Sequence, residues 1–160
     1  MTQTQQQPGV VETGQPAPDF TLSSTSGEKM TLSAWRGKQN VLLAFFPLAF
    51  TSVCSKEMCE LYEDMDQFKA ADTQVYGISV DSTPTLKEFQ YKNGMQTELL
   101  SDFKREVSRS YGVLDEDKFY SRRSYFLVDK QGTLRWRHVE SDNGQKRQVS
   151  EILAEIRKLS

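Results

Sequence analysis

Val41-Leu42-Leu43-Ala44-Phe45-Phe46-Pro47-Leu48-Ala49-Phe50-Thr51-Ser52-Val53-Cys54-Ser55-Lys56-Glu57-Met58-Cys59 reads as a strand, a turn and the start of a helix. The run from Val41 to Phe46 is apolar at every residue, without alternation. That suits a short strand covered on both faces, at the centre of an α/β sheet. Pro47 ends it, because proline has no N–H to donate to a central ladder. From Ser52 to about Ala70 the period becomes helical. Cys54, Met58, Leu61, Met65 and Phe68 form one apolar stripe, and Cys54 falls in the first turn. A thiol there gains from unpaired backbone N–H groups and from the helix dipole, which favour thiolate. Cys59 lies about 100° round from Met58, off the centre of the stripe.

Working outward, Met1 to about residue 14 is rich in Gln, Thr and Gly and predicts a disordered tail, with one domain over 15–160. Phe20-Thr21-Leu22 and Met30-Thr31-Leu32 read as short strands around a turn, followed by a single helical turn at Ala34-Trp35-Arg36 closed by Gly37. Val75 to Val80 is the next strand. Thr83-Pro84 opens a helix that Asn93-Gly94 ends. Glu98-Leu99-Leu100 is extended, and Ser101 or Asp102 caps a helix through Val107 to Tyr111. Asp115 to Ser121 reads as a polar loop. Ser124–Val128 and Thr133–Val139 form a hairpin around Asp129-Lys130-Gln131-Gly132. Val149, Ile152, Leu153, Ile156 and Leu159 mark the face of a last helix. The sum is α/β, a central mixed sheet with helices on both faces.

The composition is that of an ordinary globular domain, with 37% hydrophobic residues and 26% charged residues. A net charge of −2 offers no general attraction to nucleic acid or anionic lipid. The N-terminus has neither the basic nor the apolar region of a secretory signal, and Val41–Phe50 is too short to span a bilayer. A cytoplasmic protein without a membrane partner is expected. The 2 cysteines and 1 histidine match no common zinc pattern, so neither metal nor cofactor is expected.

Thr51, one turn before Cys54, has a hydroxyl able to face the same pocket or to cap the helix. Cys59 is constrained by geometry. In an intact helix, residues five apart have Cα atoms about 8–9 Å apart, whereas a disulfide needs them within about 7 Å. Pairing with Cys54 requires the first turns to unwind. Read alone, Cys54 also fits a buried inert thiol, and Cys59 an incidental one.

Pro47, Thr51 and Cys54 together fit the Pro-x-x-x-Thr-x-x-Cys signature, and the chain here resembles the peroxiredoxins. Arg123 in Arg123-Ser124-Tyr125-Phe126-Leu127-Val128-Asp129 matches the family's distant arginine. Pro16-Ala17-Pro18-Asp19-Phe20, Leu99-Leu100-Ser101-Asp102 and Tyr111-Gly112-Val113 extend the likeness over nearly the whole chain after the tail. The cysteine five residues on resembles the Q-type subfamily, the bacterioferritin comigratory proteins. Leu48-Ala49-Phe50 and Glu57 resemble the AhpE-type group, which usually lacks a resolving cysteine, and Val53 stands where Q-type proteins commonly have Gly.

The resemblance implies a thioredoxin-like fold and a thiol peroxidase acting on hydrogen peroxide and organic hydroperoxides. Cys54 would be the nucleophile, Thr51 and Arg123 would stabilise charge along the O–O bond, and Pro47 would shape the pocket floor. Cys59 would resolve the Cys54 sulfenic acid, and thioredoxin or a similar dithiol would reduce the product. The alternatives are a one-Cys peroxidase with Cys59 incidental, or a thiol-disulfide switch. A monomer or weak homodimer is expected. If Ser124–Val128 is a strand, Arg122 and Arg123 point to opposite faces, and the register with Phe126 selects Arg123. Glu57 is expected to be a solvated helix residue, with orientation of Arg123 as the alternative, His138 structural or exposed, and Trp35 and Trp136 packing residues.

Overall fold

The computed structural model describes residues 9–95 and 97–159, with Cys54 described by its place in the main chain alone. At its centre lies β3 (Asn40–Phe45), buried at all six residues. It pairs in parallel with β4 (Thr73–Ser79) and antiparallel with β8 (Ser124–Val128). The other strands are β1 (Thr21–Ser24), β2 (Lys29–Thr31), β5 (Glu98–Ser101) and β9 (Leu134–Val139). They complete a mixed seven-stranded sheet in the order β2-β1-β5-β4-β3-β8-β9.

Successive residues of a strand face opposite sides of the sheet, so the unbroken apolar run feeds two cores. Leu42, Ala44 and Phe46 pack on one face with residues from α1 (Ser52–Glu63), α2 (Met65–Ala70), α3 (Thr83–Asn93) and α5 (Val149–Arg157). Val41, Leu43 and Phe45 pack on the other with Leu32, Val107 and Tyr111. Val107 belongs to α4 (Glu106–Ser110) and Leu32 opens a 3₁₀ turn, Leu32–Trp35. Helical segments thus cover both faces, as expected. Trp35 and Trp136 pack against the cores. Among the described residues no helix is long and apolar enough to cross a membrane.

Three details depart from the sequence expectations. The helix expected from Ser52 to Ala70 breaks at Asp64, which ends α1 and restarts the chain as α2. Its side chain accepts from the Gln67 amide group at 2.7 Å, and the turn lets Phe68 reach the core with no exposure. The polar stretch 115–121 is not a plain loop. Leu114–Asp115 (β6) and Tyr120–Ser121 (β7) pair as a small ribbon. Arg105 pins its tip, donating from Nε to the Phe119 carbonyl at 3.1 Å and lying 4.2 Å from that ring's centre. Polar composition hid this element because a side chain from elsewhere supports it.

The expected disordered tail is described only from residue 9, and residues 1–8 lie outside the described residues. From residue 9 the chain follows the fold. Val11 N–H donates to the Tyr111 carbonyl at 3.3 Å and Gly14 N–H to that of Leu134 at 2.8 Å. Val10 and Val11 pack on the second core. A Cβ on Gly112 would lie 2.4 Å from the Gly9 carbonyl oxygen, so the segment crosses where only glycine leaves room.

Gly77 plays the same part on the helical face. A Cβ there would meet Leu99 Cδ2 at 2.7 Å and Met58 Sδ at 2.8 Å. The absent side chain lets α1 sit down on β4, which sets the height of the helix start. Gly77→Ala is expected to destabilise the protein by about 1–3 kcal/mol through overpacking, read as a lower urea midpoint with an unchanged m-value.

Candidate active site

The site is assembled where β3 gives way to α1. The ladder persists one residue past the strand, Phe46 N–H donating to the Ile78 carbonyl at 2.9 Å. Pro47 is buried and turns the chain. The turn is held by one backbone donor, Ala49 N–H, which bonds Asp81 Oδ2 at 2.8 Å. Asp81 is fixed in turn. Ser79 Oγ donates to its Oδ2 at 2.7 Å, and its carbonyl accepts from Ser101 Oγ at 2.6 Å. Phe50 then takes a left-handed conformation, φ 68°, which costs a non-glycine residue about 1–3 kcal/mol. Its ring packs edge-on against Phe89 at 5.3 Å.

Thr51 occupies the N-cap position of α1 with extended backbone angles, but its side chain does not cap the helix. Instead Oγ1 donates to the Leu48 carbonyl at 2.9 Å, closing the turn and leaving the hydroxyl oxygen free to accept. The first intrahelical bond is from Ser55 N–H to the Thr51 carbonyl at 2.9 Å. The amides of Ser52, Val53 and Cys54 come before it and have no acceptor within the helix. No acidic residue stands in the first turn, so the positive end of the dipole is not cancelled locally. Cys54 is the third residue of this turn.

Arg123 comes from just before β8 and is 1% exposed, whereas its neighbour Arg122 is exposed. Its Nη1 bonds Glu57 Oε1 at 2.5 Å. Nε and Nη2 donate to the Asn143 carbonyl at 3.2 and 3.1 Å, and Arg123 N–H donates to Asn143 Oδ1 at 3.0 Å. Glu57 is 2% exposed, which corrects the solvated reading and favours the alternative, an acid that orients Arg123. It lies three residues beyond Cys54 and so on the same face of α1. The guanidinium therefore stands about one helical turn from the Cys54 position. Spacing contained the signal: an acid at plus three from the cysteine faces wherever the cysteine faces.

Burial pushes the Glu57 carboxyl up from its usual range, and the Arg123 charge opposes the shift. The second oxygen, Oε2, has no hydrogen-bond partner among the described residues. Tyr125 stands beside this carboxylate, and burial together with the Glu57 charge pushes its phenol far up.

Cys59 sits further along the same unbroken helix, half-buried against the core, with Sγ 4.0 Å from the Asn93 carbonyl oxygen. Burial, then Glu63 and Glu60, push its thiol up. This arrangement thus disfavours the Cys59 thiolate and keeps the residue helically separated from the Cys54 position. His138 takes no part. It stacks on Trp136 and meets Glu140 at 3.2 Å. No group of three or more potential metal ligands occurs among the described residues.

Residues 13–137 match the AhpC/TSA family. Alkyl hydroperoxide reductase E of Mycobacterium tuberculosis is 38% identical over 133 residues, 82% of this chain and 87% of that one. The reduced 2-Cys peroxiredoxin of Plasmodium vivax superposes with a TM-score of 0.84 at 32% identity, over 92% of this chain and 95% of that one. This chain belongs to the AhpC/TSA family and is a peroxiredoxin of thioredoxin-like fold, with AhpE-like features. The expected monomer or weak homodimer gains no support from the neighbours. One, Prx1a of Plasmodium yoelii (TM-score 0.82, 32% identity, 92% of this chain and 91% of that one), is described as an octamer, artefactual and formed after modification of its N-terminus.

Removing Glu57 leaves a buried guanidinium without its counter-charge. Glu57→Ala is expected to cost about 3–5 kcal/mol, and Glu57→Gln less, measured by urea denaturation. Asp81→Ala is expected to slow peroxide reduction by about tenfold, since the loss of its two part-buried hydrogen bonds, from Ala49 N–H and Ser79 Oγ, loosens the turn that carries Thr51. Stopped-flow kinetics would read it.

Proposed function

We propose that Cys54 is the peroxide-reducing nucleophile and that the protein reduces hydrogen peroxide and organic hydroperoxides in the cytoplasm. Its working unit is the domain over residues 15–160. The thiolate attacks one peroxide oxygen, an S–O bond forms, and the O–O bond breaks. The departing oxygen takes a proton and leaves as water or alcohol. Charge developing along the O–O bond is met by the Thr51 hydroxyl, the first-turn amides and Arg123. Pro47, buried beneath the turn, supplies the pocket floor. The observation that carries this reading is the buried Arg123, delivered by Glu57 to the face of α1 that Cys54 shares. An arginine suits the task because its charge is permanent and its planar fork can serve sulfur and oxygen together.

In the second half-reaction Cys59 attacks the sulfur of the Cys54 sulfenic acid, hydroxide leaves as water, and an intramolecular disulfide results. A thioredoxin-type dithiol then restores both thiols. A one-Cys cycle is the rival reading. It is favoured by the raised Cys59 thiol and by the unbroken helix between the two cysteines.

Intact mass after one equivalent of peroxide separates the two readings. A loss of about 2 Da marks the disulfide, and a lasting gain of about 16 Da marks an unresolved sulfenic acid. Cys54→Ser is expected to abolish peroxide consumption, whereas Cys59→Ser permits about one turnover with thioredoxin. Because the Cys59 thiol is shifted upward, its thiolate fraction at neutral pH is small. Disulfide formation is then expected to accelerate up to about tenfold per pH unit until that thiol titrates. A pH-independent disulfide step would exclude Cys59 thiolate as the attacking group.

A further inference from the structure

Residues 140–148 form a closed excursion between β9 and α5. Its ends are joined by Arg147, whose Nε and Nη2 donate to the buried Glu140 at 2.8 and 3.2 Å. Arg147 N–H also donates to the Tyr125 hydroxyl at 3.1 Å, fastening the segment to β8. Within it, Asp142 closes a turn by accepting from Gly144 N–H at 2.6 Å and, through its carbonyl, from Gln145 N–H at 3.1 Å.

This strap grips the catalytic elements at two points. Asn143 accepts from Nε and Nη2 of Arg123, the arginine that is ion-paired to Glu57. Lys146 Nζ bonds Glu60 Oε1 at 2.5 Å, with the two side chains 13% and 30% exposed. Glu57 lies inside the span from Cys54 to Cys59, and Glu60 follows it immediately. The intact helix holds the two cysteines about 8–9 Å apart at Cα, against about 7 Å for a disulfide. Unwinding that span withdraws Glu57 from Arg123, and Lys146 holds the residue at its far edge, Glu60, so the contact resists unwinding that reaches the end of the span.

We propose that the 140–148 strap is a clasp on α1 that sets how fast Cys59 reaches oxidised Cys54, with Lys146 as its releasable contact. The proposal rests on Cys59 being the resolving residue. A held clasp prolongs the sulfenic acid, and a second peroxide then oxidises it to sulfinic acid with release of water or alcohol. A released clasp lets the Cys59 sulfur displace the hydroxyl first, with loss of water. The clasp therefore divides flux between turnover and inactivation. Lys146 acts on this division by positioning α1, and takes no part in the attack on peroxide.

The test is acid-quenched intact-mass kinetics on the full chain, comparing wild type with Lys146→Met, which keeps the aliphatic stem, and Lys146→Arg, which keeps the charge. Lys146→Met is expected to form the disulfide about fivefold faster, the scale of one partly exposed ion pair. The rate at which the sulfenic acid appears should be unchanged, and less sulfinic acid should accumulate in excess peroxide. Lys146→Arg should behave as wild type, and Glu60→Gln should reproduce Lys146→Met. Equal disulfide rates in all four proteins overturn the clasp while leaving Cys59 as the resolving residue. Equal acceleration of both steps also overturns it, because the site rather than the clasp has then changed. A wild type that never forms the disulfide overturns the Cys59 reading, and the clasp falls with it.

Discussion

A guanidinium buried to 1% exposure needs a counter-charge, and here it comes from a helix residue 66 positions earlier in the chain. Bringing two ions out of water costs several kcal/mol for each, and close contact with further hydrogen bonds is required to offset it. Arg123 obtains both from Glu57 Oε1 and the Asn143 carbonyl. The rest of the site follows from this constraint. The pair fixes α1 against the start of β8, orients the strap after β9, and places a permanent positive charge near the first turns of α1. Glu57 is incompletely satisfied, with one oxygen unpartnered among the described residues.

The same helix has two opposing duties. At its N-terminus, amides without an intrahelical acceptor and an uncancelled dipole favour negative charge near the first turn. Two turns on, burial and two flanking acids raise the cost of negative charge on Cys59. One helix thus offers negative charge a favourable place at its start and an unfavourable one at Cys59. The difference comes from where each residue sits along the axis and from which charges surround it. The strained Phe50 immediately before the helix, and the glycine beneath it at Gly77, show how closely the sheet sets the helix in place.

Much of this was legible in the residue order. The unbroken apolar run Val41–Phe46 announced a strand buried on both faces, because a half-exposed strand would alternate. The proline after it, the change of period and the position of Cys54 announced a helix start, because capping and dipole effects act within a few residues. The preference for Arg123 over Arg122 came from the likeness of Arg123-Ser124-Tyr125-Phe126-Leu127-Val128-Asp129 to the peroxiredoxin motif, since alternation along a strand says only that the two point apart. The sequence by itself therefore determined the central strand and the helix that bears both cysteines, because the forces behind them act within a turn or two.

The tertiary structure decided what depends on remote partners. Glu57 reads as one solvated acid among several, and only the arrival of Arg123 makes its burial affordable. The N-terminal segment from residue 9 reads as featureless, yet it finds hydrogen bonds at Tyr111 and Leu134 and a glycine to cross. The ribbon around residues 114–121 and the strap over 140–148 are polar, and their order comes from Arg105, Arg147, Asn143 and Lys146 reaching across the fold. Local pattern encodes which residues become helix or strand, because those forces act within a turn or two. Which charges are buried together depends on chain closure over scores of residues, and no window of sequence contains that information.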